Sequence, residues 1–428
     1  MGYDRSVLVR HRDWRALLVE LALLLGLTGV AAVAFGRSLR SGALYDEGVY
    51  LASLDALEHG QKLGSQVFAS QPPGFYVLLE AERAVFGGSV VAIRVAMLLL
   101  ALGGCVAAYF IGRRLAGPRG GFFAMALLVT PLSLEDEAVR VRADFPSVAL
   151  SLVAMLGLYA GVLGQLWTDA FRFHVSAQSA SIRGAPTSLA GNVTKLARAL
   201  TDYGGLRSPF LWLAVVGALA TLFAWHRRRL LGAFPLWLWV ACAAVFLSWH
   251  RPLWSHDVTV LIVALAIAGG VGLAALLVEP RRASRVAAAL CAVVIAASIA
   301  HHAQRTSAGE STGVKWAVGV LRARTRIGSH VASDVPIIPF LADRLEPDML
   351  VDTSSTRIGS GWLTRSTILG SLERARVSAV VVGNNFALDP RLVQAIHRRF
   401  PLVLSRYDVT IPGRAQRVSL RIYLPRRR

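Results

Sequence analysis

Ala16–Phe35 reads ALLVELALLLGLTGVAAVAF, and soon after it the chain runs through Tyr45–Tyr50, YDEGVY. An apolar run of about 20 residues is the length a helix needs to cross the hydrocarbon core of a bilayer. It is too long for the apolar part of a signal peptide and lacks a small-residue cleavage site. Arg5, Arg10, Arg12 and Arg15 precede it, so the positive-inside bias keeps the amino terminus cytoplasmic and places the following loop, residues 36–88, outside. Two adjacent carboxylates, Asp46 and Glu47, therefore sit just beyond the mouth of a membrane helix.

Further apolar runs follow at 89–112, 120–134, 145–166, 209–225, 230–248, 258–278 and 286–301. Together they predict a polytopic α-helical membrane protein of about eight spans over residues 1–301. Basic loops at Arg113-Arg114 to Arg119, His226 to Arg229, and Arg281 to Arg285 suit the cytoplasmic side. Counting sides produces a conflict: if 145–166 runs inward, the cluster Arg227-Arg228-Arg229 ends up outside. The positive-inside bias then implies that an odd number of crossings is absent between about 160 and 209.

Composition narrows the class. The 428 residues are 54% hydrophobic and only 17% charged, with mean hydropathy +0.51, yet the formal net charge is +20 and the pI is near 11.1. Soluble domains are about a quarter charged, and nucleic-acid binders reach high pI without such hydropathy, so nucleic acid is excluded as a partner. Only Lys62, Lys195 and Lys315 are lysine, so 43 of the 46 basic residues are arginine, a bias expected of a GC-rich bacterial genome. Cys105, Cys242 and Cys291 all lie in apolar runs, which argues against a disulfide framework.

From about 302 the texture changes. Short apolar runs at 330–332, 349–351, 379–382 and 402–404 alternate with helical spacing at 369–377 and 390–400, which predicts a soluble α/β domain with a partly parallel sheet over residues 302–428. On the side count it lies outside the cell. It carries 20 basic and 9 acidic residues, and so +11 of the net charge. Those charges, with Arg426, Arg427 and Arg428 at the end, are expected to lie against anionic lipid head groups.

The candidate chemistry lies at the outer edge. A desolvated carboxylate suits a general base that takes a proton from an acceptor hydroxyl; the alternative for Asp46 is a cap on a helix beginning at Glu47. Asp144, in VRADFP at the mouth of another run, is a functional candidate by position, or an ion-pair partner of Arg140 or Arg142. Arg142, with His250, Arg251 and His256 of WHRPLWSHD, offers cations for a phosphate, although Trp and Arg here also suit an interfacial belt. The His250, His256 and Asp257 spacing is no known metal-ligand pattern. No phosphate-binding glycine loop, nucleophile elbow or paired CxxC occurs, which argues against nucleotide or nucleotide-sugar use, and Asn192-Val193-Thr194 is an isolated sequon.

Asp46-Glu47, then Tyr50, then Pro72-Pro73 before an aromatic, then Phe86-Gly87 and Arg94, resemble in order and spacing the GT-C glycosyltransferases, nearest the bacterial protein O-mannosyltransferases and aminoarabinose transferases. The resemblance covers residues 10–160 well and 205–300 loosely. It implies a multi-span enzyme of the bacterial plasma membrane and cell envelope. Such an enzyme takes a sugar from a polyprenyl-phosphate donor at the outer face and inverts the anomeric centre. It implies Asp46 as base, Glu47 and Asp144 orienting acceptor or base, and Arg142, His250, Arg251 and His256 near the donor phosphate, where a divalent cation is compatible but no cofactor is required. Gln71 stands where some relatives have a lysine on that phosphate. Relatives also have further spans before the segment resembling Phe171 to His174, so a block of about three helices looks missing here. The rival reading is a non-catalytic or degenerate polytopic protein, or a transporter of a lipid-linked precursor. Transport predicts polar residues in mid-bilayer, and the central runs contain almost none.

Overall fold

The computed structural model describes residues 14–159, 209–226, 231–249, 256–278, 282–303, 309–359, 361–409 and 418–426, with a few more between 190 and 196. Arg5, Arg10 and Arg12, most of the segment 160–208 where crossings were expected to be absent, His250, Arg251, and Arg427 with Arg428 lie outside the described residues.

Helix α1 spans Trp14–Gly36, α2 Tyr45–Glu58, α3 Pro73–Phe86, α4 Val90–Leu128, α5 Leu132–Glu137 and α6 Asp144–Tyr159. Among the described residues, Trp14–Arg40, Val90–Leu128, Thr259–Val278 and Arg282–His301 are long and apolar enough to cross a membrane, and Asp144–Leu156, Trp212–Thr221 and Phe234–Ser248 are shorter apolar helices. Large apolar side chains point outward from the bundle, among them Leu25 (62% exposed) on α1 and Val293 (65%) on the helix Arg282–Ala303. Such surface suits lipid rather than water.

The two runs expected at 89–112 and 120–134 are the limbs of α4. Backbone angles leave the helix at Ala116 and at Gly117, whose φ is 72°, a left-handed value that favours glycine; Pro118 then opens the second limb. The Tyr109 and Phe122 rings lie 5.1 Å apart, whereas thirteen residues of straight helix would separate them by about 20 Å. The limbs are therefore antiparallel. The helix Thr259–Val278 runs through the middle of the bundle, and Ile262, Val263, Ala264, Ala266, Ile267 and Ala268 are all buried. Glycines let it come close: Gly272 meets Gly217 of the helix Pro209–His226, and Gly270 meets Ala124 of α4. This is small-residue packing of the kind that membrane helices use in place of a hydrophobic driving force.

The C-terminal part contains a four-stranded mixed sheet in the order β1-β2-β4-β3, formed by β1 Val331–Ser333, β2 Ala379–Val382, β3 Leu402–Val409 and β4 Val418–Leu424. β1 and β2 are parallel, with Ala332 opposite Val380; β4 is antiparallel to both β2 and β3, with Ile422 opposite Val381 and Leu404. Helices Arg365–Arg374 and Pro390–Arg399 match the expected helical stretches. The strand expected at 349–351 is instead the turn of 3-10 helix Asp348–Leu350. Leu345 already takes the edge beside β1 in a single bridge at His330, and the Arg357 guanidinium binds the Met349 and Asp352 carbonyls at 2.8 Å, so no ladder partner is needed. Strand β4 was not anticipated from the sequence.

Alternation along the strands divides the sheet's faces. Val380, Val382 and Tyr423 face a core with Ile368, Leu372, Leu392 and Ile396. Val381, Leu420, Ile422 and Leu424 face a second core, shared with Val314, Ala317 and Leu321 and with Tyr50, Leu54, Phe75 and Leu79 of the loop after α1. The C-terminal part and that loop are thus built around one apolar interior. They approach closely at Gly48 of α2, where an added Cβ would lie 2.6 Å from the Ile337 backbone nitrogen. Backbone cannot yield as a flexible side chain can. Gly48→Ala is therefore expected to destabilise the purified full-length protein by about 1–3 kcal/mol through overpacking, read as a lower Tm in detergent; a wild-type Tm would show that this contact is slack.

Candidate active site at the first turn of α2

Helix α2 begins at Tyr45, with Leu44 as its N-cap. Asp46 therefore lies inside the first turn and does not cap a helix starting at Glu47. The start moves upstream because the Glu47 carboxylate reaches back to accept the Leu44 N–H at 3.2 Å. Adjacent on a helix, the two acids diverge by about 100°, and their surroundings differ accordingly.

Glu47 is fully buried. Arg94 of α4 grips both its oxygens, each at 2.7 Å, and Arg140 adds a bond of 3.1 Å, as does the Val141 N–H. Arg94 also donates to the Leu39 and Ser41 carbonyls, and Arg140 to that of Gly42. Burial alone would raise the Glu47 pKa, but Arg94, Arg140 and the Val141 N–H outweigh it and hold the carboxyl at about 2. A carboxylate so enclosed has no surface for an acceptor. The expected orienting contact between Glu47 and acceptor does not fit this geometry; Glu47 ties α1, α4 and the 138–143 turn to the start of α2.

Asp46 is 38% exposed, and its one recorded ion pair is to Arg142, at 2.8 Å. Arg142 is 10% exposed and forks to Glu137 at 2.9 Å through its other terminal nitrogen; its Nε is buried without a hydrogen-bond partner. Burial opposes its charge, but Glu137, Asp46 and Asp144 more than offset this and keep the guanidinium above its ordinary range. Tyr50, one turn after Asp46, is buried, and its hydroxyl is pushed well up by burial and then by the charges of Asp46 and Asp144. Asp46, Asp144, Arg142 and Tyr50 thus occupy one electrostatic neighbourhood. Asp144 opens α6; Arg140 pairs with Glu47, and Arg142 with Glu137 and Asp46.

The Pro-Pro element has a structural part in this. Pro73 starts α3 at N1 and brings Phe75 edge-on to Tyr50, with centroids 5.2 Å apart. The Gln71 amide donates to the Tyr50 hydroxyl at 2.8 Å. Where a lysine was compared with this position, glutamine pins the tyrosine beneath Asp46.

Two contributors were missed in the sequence. Arg140 lies in a tight turn in which the Arg142 N–H bonds the Arg140 carbonyl at 2.8 Å, and no local pattern in the sequence separates its partner, Glu47, from that of Arg142, Asp46. An outer α/β domain that helps hold the acceptor is expected from the sequence, but the residues it places beside the site are set by its fold and not by any local run. The Tyr45 hydroxyl lies 3.2 Å from Thr353 Oγ1, and the buried Asp352 has its pKa raised by burial, with the Asp46 charge adding to it. His256 opens the turn His256–Val258; its side chain, like His250 and Arg251, lies outside the described residues.

Among the described residues one group, Asp55, Glu58 and His59 at the far end of α2, is spaced to hold a metal ion. Arg83 already pairs with Glu58 and lies 3.7 Å from Asp55. A fixed guanidinium occupies the position where a cation would be useful.

No family profile matches the chain, and no curated protein matches its sequence. Its fold is similar to solved structures. ArnT from Cupriavidus metallidurans in the apo state is 15% identical, with a TM-score of 0.54 over 95% of this chain and 97% of that chain. The same protein bound to undecaprenyl phosphate is 13% identical, with a TM-score of 0.49 over 96% and 98%. The oligosaccharyltransferase AglB from Archaeoglobus fulgidus, in complex with an inhibitory peptide and a dolichol-phosphate, is 10% identical, with a TM-score of 0.46 over 88% and 70%. At 15% identity the likeness to ArnT is one of fold.

Proposed function

We propose that the protein is a membrane glycosyltransferase that moves a sugar from a polyprenyl-phosphate donor to an acceptor at the outer face of a bacterial plasma membrane. The observation that carries this is the unequal treatment of the two acids: Glu47 is sealed and saturated, while its neighbour Asp46 stays accessible beside Arg142, Tyr50 and Asp144. In the reaction, Asp46 accepts the acceptor's hydroxyl proton as the oxygen attacks the anomeric carbon. The bond from that carbon to the phosphate oxygen breaks, and the electron pair leaves with polyprenyl phosphate. One displacement inverts the anomeric centre. The leaving phosphate needs positive charge rather than a proton, which Arg142 supplies as a nearby charge, and by sequence position His250, Arg251 and His256. The resemblance allows a divalent cation with that phosphate.

The membrane arrangement belongs to the same reading. α1, the two limbs of α4, α6 and the helices Pro209–His226, Phe234–Trp249, Thr259–Val278 and Arg282–Ala303 make up the eight expected spans. Eight crossings alone would leave both ends of the chain on one side, so an amino terminus in the cytoplasm with α2, α3 and the α/β part together outside, as their shared apolar interior requires, needs an odd number of crossings beyond these helices. The buried middle of Thr259–Val278 is apolar throughout, which favours surface chemistry over transport. Membranes containing the full-length protein, incubated with radiolabelled polyprenyl-phosphate mannose, glucose or aminoarabinose, are expected to consume one of these donors and release polyprenyl phosphate. Consumption no faster than in membranes lacking the protein, for all three, would count against the reading.

A further inference from the structure

A second feature lies at the outer rim of this site and plays no part in the displacement. Trp362 is 71% exposed, and its position is fixed by its neighbours. Gly361 adopts φ 78°, a left-handed value that turns the chain, and Leu363, 1% exposed, anchors the other side with its N–H on the Arg357 carbonyl at 3.1 Å. The Trp362 ring meets Phe68 of the α2–α3 loop with centroids 6.3 Å apart at 62°. The Arg357 guanidinium lies over the Phe68 ring at 4.2 Å, and Arg357 in turn grips the Asp352 carbonyl. Asp352 feels the charge of Asp46. Contacts therefore link the exposed indole through Phe68 and Arg357 to the Asp352 backbone, and Tyr45, next to Asp46, meets the adjoining Thr353 at 3.2 Å.

We infer that Trp362, held in place by Phe68 and Arg357, forms an acceptor subsite whose exposed indole stacks a pyranose ring. The inference rests on the proposed transfer reaction and names the acceptor class for it: a glycan or glycoconjugate. A pyranose has an apolar face of C–H groups and a rim of hydroxyls, and it is matched by an aromatic face with polar groups around it. That is the composition here, since Gln66, Thr364, Arg365 and Ser366 are the exposed neighbours in sequence. Arg357 is held by two carbonyls, so Phe68 and the adjoining indole are ordered before any ligand arrives.

The test uses the full-length protein in nanodiscs, with cellohexaose and mannohexaose as probes and saturation-transfer NMR as the readout. Wild type is expected to bind at least one of them. Trp362→Ala should weaken that binding about five- to tenfold, Trp362→Tyr should retain most of it, and the thermal shift produced by undecaprenyl phosphate should be unchanged in both. Absence of binding to either probe, or equal binding by Trp362→Ala, would overturn the inference. So would brominated lipid quenching the share of fluorescence that Trp362→Phe removes, because that places the indole in the membrane. None of these measurements requires turnover. Glycan binding without consumption of any donor would fault the transfer reaction and leave the subsite standing.

Discussion

Asp46→Asn is expected to reduce sugar transfer from polyprenyl phosphate by about 100- to 10,000-fold, the range that a positioned general base contributes. The substitution keeps the size of the side chain and removes its capacity to accept a proton. The fold should survive it, since Asp46 is 38% exposed and its pair with Arg142 is open to solvent on one side; such pairs contribute little to stability. Arg142 keeps its bond to Glu137, so the guanidinium is not orphaned. Wild-type Tm, an unchanged thermal shift with undecaprenyl phosphate and lost transfer would together place the defect in the chemical step. Membranes carrying Asp46→Asn that still transfer at the wild-type rate would remove Asp46 as base.

How much of this was legible in the sequence depends on the range over which each feature is determined. The apolar runs were visible because a bilayer imposes length and hydropathy on each segment separately. The turn inside α4 was visible for a similar reason, with Gly117-Pro118 between two runs. The order Asp46-Glu47, Pro72-Pro73, Arg94 implies by resemblance that Asp46 is the base, but gives no physical reason why the two adjacent acids should differ. That difference is made by Arg94 and Arg140, which are distant in sequence from Glu47 and from each other. Hydropathy gives no reason why Arg94, four residues into an apolar helix, should be buried to 1%; a cation there needs an anion, and Glu47 is the one that faces it. Likewise the register of β4 follows from pairing across the sheet, and the seating of Ile337 on Gly48 from tertiary packing, rather than from any local run.

That buried pair supports the second large effect. Glu47→Gln would leave Arg94 and Arg140, 1% and 6% exposed, without the carboxylate that neutralises them. Breaking a buried ion pair from one side costs about 3–5 kcal/mol, a large fraction of the ~5–15 kcal/mol that holds a domain folded. The outcome expected is a sharp loss of monodisperse protein on size-exclusion in detergent and a strongly lowered Tm for what remains. Arg94→Met should do comparable damage by stranding the carboxylate. The double variant should be less harmful than the sum of the two, because one buried charge of each sign is removed together. Acid supplies an independent check. The folded pKa of about 2 lies below the ordinary 4.5, so the stabilisation from Glu47 is complete above pH 4.5 and disappears as pH falls through about 2. Wild type should lose Tm across that window, and Glu47→Gln, already lacking the interaction, should lose less. If Glu47→Gln instead purified with wild-type Tm and failed only in transfer, Glu47 would belong to the chemistry, and the division of labour between the two acids would have to be reversed.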